Sequence, residues 1–76
     1  MIEAIYQNTL IQIHKEHLGR TEIYKVIFTN GNSPLVITKA VRNSASYFWT
    51  SVPEGRQRQA EEIGRIIEKH LQPELF

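Results

Sequence analysis

The sequence predicts a two-layer α+β domain in which one C-terminal helix packs against a four-stranded antiparallel sheet, with a fifth N-terminal strand as an option. Three observations predict it. Residues 9–52 are rich in β-branched and aromatic residues that alternate with polar ones, which is typical of strands. Turn signals divide that stretch into short segments. After residue 51, apolar residues recur at helical spacing.

The predicted strands follow one another along the chain and are separated by turns. The strongest turn signal is Asn30-Gly31-Asn32-Ser33, because Asn-Gly tolerates the positive φ that tight hairpins need. Pro34 suits the start of a strand, where its missing N–H removes only a terminal ladder bond. The strands are 9–17, 22–29, 34–41 and 47–52, and the connections are 18–21, 30–33 and 42–46.

Residues 1–8, "MIEAIYQN", have three interpretations. They could extend the first strand, form a fifth strand at the edge of the sheet, or act as an arm. The sequence does not choose between them.

Turns with an even number of residues fix which side chains share a face of the sheet. One face is then a coherent apolar core, made by Ile11, Ile13, Tyr24, Val26, Phe28, Leu35 and Ile37. The reverse face is a mixture of polar and aliphatic residues: Gln12, His14, Glu16, Ile23, Lys25, Ile27, Val36, Thr38 and Ala40.

The helix is predicted to follow Ser51-Val-Pro-Glu54, which has the form of a capping box. Gly64 within the helix costs about 1 kcal/mol relative to alanine, which indicates that the helix approaches the sheet closely there. Pro73 ends the helix, and residues 74–76 form a short tail. The apolar stripe consists of Ala60, Ile63, Gly64, Ile67 and Leu71, widened by Ile66.

The segment "SYFWTSV", residues 46–52, leaves one choice open. Successive side chains of a strand point to opposite faces, so Tyr47 and Trp49 go one way and Phe48 goes the other. In one alternative, Phe48 joins the core while Tyr47 and Trp49 project from the reverse face. In the other, Tyr47 and Trp49 join the core while Phe48 projects from the reverse face. In both cases the reverse face carries an aromatic ring.

The composition limits the classes of function that are possible. The 76 residues make a single domain, 1–76, with a formal charge of +1 and no cysteine, and no cofactor or metal motif is present. His14 and His17 are three residues apart in a strand, so their imidazoles point to opposite faces and cannot share an ion. The N-terminus lacks the features of a signal peptide. We therefore expect a cytoplasmic protein without enzyme activity.

Arg56 and Arg58, which follow Gly55 near the start of the helix, form a candidate anion site. Cations at that end oppose the helix dipole, so a bound phosphate or carboxylate would be favourable there. The other interpretation is that Glu54 and Glu62, each four residues from Arg58, pair with it along the helix.

The open sheet face predicts two functions. It is either a protein-interaction surface through which the protein self-associates as a homodimer, or a surface on which unpaired nucleic-acid bases stack beside cations. The strand-then-helix order is similar in topology to the Pur-type repeats that bind single-stranded nucleic acids. Low net charge and aliphatic content favour a protein partner. The candidate binding residues are Ile23, Lys25, Ile27, Val36, Tyr47 and Trp49.

Overall fold

The structure is a computed structural model that describes residues 1–43 and 46–71, with the backbone alone at Leu71. Five strands form one antiparallel sheet in the order β1-β2-β3-β4-β5, and the sheet curls around one helix. The predicted two-layer α+β fold is confirmed. The elements are β1 Ile2–Tyr6, β2 Thr9–Leu18, β3 Thr21–Phe28, β4 Leu35–Asn43, β5 Ser46–Ser51 and α1 Gln57–Leu71.

The first residues of the chain form the fifth strand, which is one of the three interpretations above. β1 pairs with β2 along its whole length, from Ile2 opposite Ile13 to Tyr6 opposite Thr9. Gln7 and Asn8 connect the two strands, with φ values of 51° and 61°. Positive φ at both central residues defines the two-residue turn that matches the twist of a hairpin.

The predicted core face is confirmed, because every residue assigned to it is buried. α1 contributes Ala60, Ile63 and Ile67, each fully buried, and β1 adds Tyr6. Ile66 and two β1 residues, Ile2 and Ala4, are partly buried at the margin of this core. The buried strand residues are Tyr6, Ile11, Ile13, Tyr24, Val26, Phe28, Leu35, Ile37 and Trp49.

α1 approaches the sheet closely at Gly64, as predicted. A Cβ atom built on Gly64 would lie 2.2 Å from Cγ of Trp49, well inside the separation that carbon atoms tolerate. The indole ring therefore occupies the space that any larger residue at 64 would need. Trp49 also packs edge-on against Tyr24, with ring centroids 5.6 Å apart.

The predicted helix start was wrong: α1 begins at Gln57, and Ser51 is the last residue of β5. Ser51 pairs with Ile37, so the sheet holds it in extended backbone where it cannot act as an ordinary helix cap. Its buried hydroxyl accepts the backbone N–H of Arg56 at 3.1 Å instead. The Val52–Pro53 peptide bond between them is cis. The predicted helix end at Pro73 and the tail lie outside the described residues.

Candidate interaction surface

The sheet has two faces with different surroundings. The helix-side face carries the core described above. We call the other side the outer face. No element of residues 1–43 and 46–71 packs on it, because α1 lies across the opposite side. Since the sheet curls around the helix, the outer face is convex.

Apolar side chains form a diagonal row across the outer face. On β1 and β2, Ile5 lies directly opposite Leu10. Leu10 is two residues before Gln12, which is opposite Ile27 on β3, so Leu10 and Ile27 are diagonal neighbours. Such neighbours lie about 7–8 Å apart, within reach of one another's side chains.

The row continues to the other edge of the sheet. Val36 on β4 is opposite Lys25, two residues before Ile27, and is therefore the next diagonal neighbour. The backbone N–H of Val52 donates to the carbonyl of Val36 at 2.8 Å, which brings Val52 alongside it. We call this row the apolar band: Ile5, Leu10, Ile27, Val36 and Val52.

Three of the five side chains in the band are well exposed. The exposed fraction is 64% for Ile5 and 40% for both Leu10 and Val52. Ile27 and Val36 are partly exposed. Single exposed apolar residues are ordinary on a protein surface, whereas larger contiguous apolar patches often mark binding surfaces.

A second apolar group lies on the same face, two rows further along the strands. It contains Ile23 and the directly opposed pair Ala40 and Phe48, all partly exposed. The guanidinium of Arg42 lies 4.9 Å from the centre of the Phe48 ring. Lys25 separates this group from the apolar band on β3.

The predicted binding residues divide between the two faces. Ile23, Lys25, Ile27 and Val36 lie on the outer face, as expected from their register with β2 and β4. Tyr47 and Trp49 are paired with Val41 and Lys39 on the helix side, so they cannot contact a partner bound to the outer face. Trp49 is only 5% exposed.

The candidate binding residues omitted Ile5, Leu10 and Val52 of the apolar band, and they also omitted Phe48. Phe48 supplies the outer-face aromatic that either orientation of residues 46–52 required. The available signal was its position between Tyr47 and Trp49, because alternation places it on the opposite face once either of them is located.

Tyr47 and Trp49 are bound to the helix through one carboxylate. The Tyr47 hydroxyl and the Trp49 indole N–H donate to the same oxygen of Glu68, at 2.7 and 2.9 Å. The Tyr47 hydrogen bond, followed by that of Trp49, holds the pKa of Glu68 below its ordinary value. The same bond raises the pKa of Tyr47. The ammonium of Lys39 lies 4.3 Å from the centre of the Tyr47 ring.

This cluster lines a groove of about 260 Å³ between β5 and α1. Its polar atoms are already bonded to one another, so the cluster secures the helix to the sheet. On the opposite strand edge, Tyr6 donates to Glu62 in the same way. Burial and then this hydrogen bond raise the pKa of Tyr6 to about 12. Two tyrosines and two glutamates thus connect α1 to both edge strands.

Arg56 is held by groups of the protein itself. Its guanidinium donates to the carbonyl oxygens of Pro34 at 2.9 Å and Ser33 at 3.3 Å, and to the side chain of Gln59 at 2.8 Å. Arg58 instead lies close enough to Tyr6 for its positive charge to oppose, in part, the rise in the pKa of that hydroxyl. The anion site predicted at Arg56 and Arg58 stays a prediction, and the contacts of Arg56 account for its position without an anion.

The remaining ionic contacts are on the surface. A carboxylate oxygen of Glu22 lies 3.2 Å from the ammonium nitrogen of Lys15 and 3.9 Å from Nε2 of His17, and all three side chains are more than half exposed. Exposed pairs of this kind contribute little to stability. In the described part of the chain, no three His, Cys, Asp or Glu side chains lie close enough together to hold a metal ion.

No family model, curated protein or solved structure matches the chain. Within the described residues there is no helix long and apolar enough to cross a membrane.

Proposed function

We propose that the protein is a cytoplasmic protein-interaction module without enzyme activity, and that it self-associates through its outer face. The observation that carries the proposal is the apolar band, which runs across β1, β2, β3 and β4 to Val52, just after β5, on the side that the helix leaves open. The absence of cysteine is consistent with the reducing cytoplasm.

The size of the domain supports the same conclusion. A domain of this length hides only about 60% of the surface of its unfolded chain, so its stability margin is small. Burying the exposed part of each band residue contributes about 1 kcal/mol, or roughly 10 kcal/mol for the two copies of a dimer. Association costs about 4–15 kcal/mol. We therefore expect a reversible, concentration-dependent contact.

The titratable groups support a role without catalysis. Among the described residues, shifted pKa values are found at Tyr6, Tyr47 and Glu68. Each of these groups is hydrogen-bonded within a contact between helix and strand, and none adjoins a nucleophile. Catalytic groups usually combine a shifted pKa with a cleft and an unpaired reactive atom.

Two valines of β4 provide a matched test. Val36 belongs to the apolar band, whereas Val41 is 77% exposed on the helix side. Val36→Lys places a charge in the proposed contact, and Val41→Lys makes the same chemical change outside it. Sedimentation velocity between about 1 μM and 1 mM covers the range in which contacts of about 4–8 kcal/mol become populated.

We expect the wild type and Val41→Lys to sediment faster as concentration rises. Val36→Lys should lose the part of this concentration dependence that comes from association through the outer face. Circular dichroism establishes that both variants are folded. If the wild type remains monomeric at the highest concentration, or if the two variants associate equally, the outer face is not the contact.

Binding of single-stranded nucleic acid is the second candidate. It is favoured by one observation: Phe48 lies on the outer face beside Arg42, as base stacking next to a phosphate contact requires. With Trp49 buried, Phe48 is the one aromatic ring that the described residues place on that face. Fluorescence anisotropy of labelled oligonucleotides at low and high salt tests this function. Binding that salt weakens and that Phe48→Ala abolishes would support it.

A further inference from the structure

β1 is an edge strand whose free side presents backbone hydrogen-bonding groups. The carbonyl of Leu10 accepts the backbone N–H of Thr29 at 3.2 Å, so the backbone of Leu10 is directed toward β3 and away from Ile5 opposite it. Because bonded and non-bonded pairs alternate along an antiparallel ladder, Glu3 and Ile5 direct their N–H and C=O groups away from β2. Within the described residues, no strand pairs with these groups.

The other edge of the sheet is protected. The side chain of Gln57 donates to the backbone carbonyl of Trp49 at 2.6 Å, and Ser51 is tied to the backbone of Arg56. The beginning of α1 therefore covers part of β5. Edges without such a cover are where strands of other chains add. β1 is the edge on which this sheet can grow.

We propose that a second copy of this chain pairs with β1 in antiparallel register, with Ala4 of one copy opposite Ala4 of the other. The two sheets then form one continuous sheet of ten strands. This contact shares only Ile5 with the apolar band, because β1 pairs edge to edge whereas the centre of the band lies on β3 and β4. The partner is assigned by the residues of the edge, since β1 can pair with itself in a register that opposes no like charges.

The register follows from the residues of β1. A twofold axis that brings the free backbone groups together can pass at Glu3, Ala4 or Ile5. The first places Glu3 opposite its own copy, and like charges opposed across strands are destabilising. The third places Glu3 opposite Gln7, which has φ of 51° and belongs to the turn.

The axis at Ala4 has neither fault. All five residues of β1 then find a partner: Ile2 opposite Tyr6 on the helix side, Glu3 opposite Ile5 on the outer face, and Ala4 opposite itself. Glu3 and Ile5 exchange two backbone hydrogen bonds at each end, four in all. Opposed residues of a non-bonded pair approach most closely, and Ala4 is small enough for that position.

Side chains on both faces favour this contact. On the helix side, Ile2 and Ala4 are only partly buried, and Ile66 lies one turn after Glu62, the helix residue that accepts Tyr6. The core is thus open toward the edge of β1. On the outer face, Ile5 is 64% exposed. Pairing covers the open end of the core as well as the backbone.

Hydrogen exchange measures the contact directly. The amides of Glu3 and Ile5 are expected to exchange rapidly at low concentration and to become protected as concentration rises. The amide of Ala4 points toward β2 and is expected to be protected at every concentration, which makes it the internal control.

Ile5→Pro removes an outward N–H and leaves the ladder to β2 intact, which proline tolerates at a sheet edge. Two hydrogen bonds per dimer are lost, so we expect association through β1 to weaken about tenfold or more. A second variant avoids dependence on proline. In Ala4→Cys, the two Cα atoms across the axis are about 4.5 Å apart, within the range of a disulfide.

Because the chain has no other cysteine, oxidation of Ala4→Cys gives a covalent dimer through this pair alone. Val41→Cys, an exposed cysteine away from β1, is the control. We expect the disulfide dimer to form at low micromolar concentration from Ala4→Cys, with no more than a trace from Val41→Cys.

Combining the two contacts separates their failures. We expect Val36→Lys to leave a dimer joined at β1, and Val36→Lys with Ile5→Pro to be monomeric. Suppose that Val36→Lys is monomeric, and that the wild type associates while the backbone amides of Glu3 and Ile5 still exchange rapidly. Edge pairing is then wrong and the proposed function stands. If Val36→Lys is without effect and Ile5→Pro abolishes association, the outer face is wrong and the edge stands. A wild type that is monomeric throughout overturns both.

Discussion

Substitution of Gly64 by alanine tests how closely α1 approaches the sheet. In most helices this change stabilises by about 1 kcal/mol, because alanine has the higher helix propensity. Here the new Cβ would lie 2.2 Å from Cγ of Trp49 and 2.4 Å from both Cδ1 and Cδ2. These atoms belong to the rigid centre of the indole and cannot rotate away. The helix or the ring must therefore move by more than 1 Å.

The magnitude follows from two opposed contributions. Inserting a methyl group into a packed core costs about 1–3 kcal/mol, and this contact belongs at the upper end because the indole is also held by its hydrogen bond to Glu68. Subtracting about 1 kcal/mol for helix propensity leaves a net loss of about 2 kcal/mol. With an m value of about 1 kcal/mol/M, the urea midpoint of Gly64→Ala falls by about 2 M.

The measurement is urea unfolding followed by circular dichroism, at a concentration where the protein is monomeric. Trp49→Phe provides the matched background, because the smaller ring gives room for the methyl group. There the penalty of Gly64→Ala should shrink markedly, which appears as a coupling energy between the two sites. A midpoint of Gly64→Ala equal to or above that of the wild type would refute the reasoning.

Three further predictions concern the bonds between α1 and the edge strands. Glu68→Gln should destabilise the protein by about 1 kcal/mol at neutral pH, because Tyr47 and Trp49 then donate to an uncharged acceptor. Folding lowers the pKa of Glu68, so the contribution of its carboxylate to the free energy of unfolding is complete above the ordinary carboxyl pKa and is lost as pH falls through the lower pKa of the folded protein. Glu68→Gln should remove this part of the loss of stability in acid, as measured by urea titrations at several pH values. Folding raises the pKa of Tyr6 from 10.0 to about 12, so the contribution of its hydroxyl to stability is complete below pH 10 and falls as pH rises toward 12. Tyr6→Phe, which loses the hydrogen bond to Glu62, should flatten this alkaline loss of stability. An unchanged dependence of stability on pH would contradict the assignment.

The hairpins could be predicted from the sequence because their turns and alternation agree. A one-residue slip would move every core side chain of a strand to the opposite face, so the pattern from Ile11 to Ile37 admits one register. The turn at Gln7 and Asn8 was missed because glutamine is not a residue that signals positive φ. Without that turn, β1 could not be separated from an extension of β2.

The orientation of residues 46–52 could not be predicted, for a different reason. The pairing of β4 with β5 shifts by one residue between Val41 and Asn43, which is a β-bulge. One extra residue reverses which side chains share a face, so a bulge decides whether Trp49 or Phe48 enters the core. Nothing in the residue types of 42–46 reveals its presence. Four of the six candidate binding residues therefore lie on the outer face, and the other two, Tyr47 and Trp49, lie on the helix side.

The shape of the fold explains why one helix leaves a line of apolar residues rather than a broad patch. A helix of fifteen residues is about 22 Å long but only about 10 Å wide, and five strands span about 19 Å, so a flat sheet would extend beyond the width of the helix. Curling lets α1 reach Tyr6 on β1 and Tyr47 on β5 through its two glutamates. The same curling makes the outer face convex. Two convex faces touch along a line, and a diagonal row such as the apolar band fits such a contact. A broad apolar surface on a convex face would stay largely exposed to water. Edge pairing escapes this restriction, because strands at β1 join along the direction in which the sheet already curves.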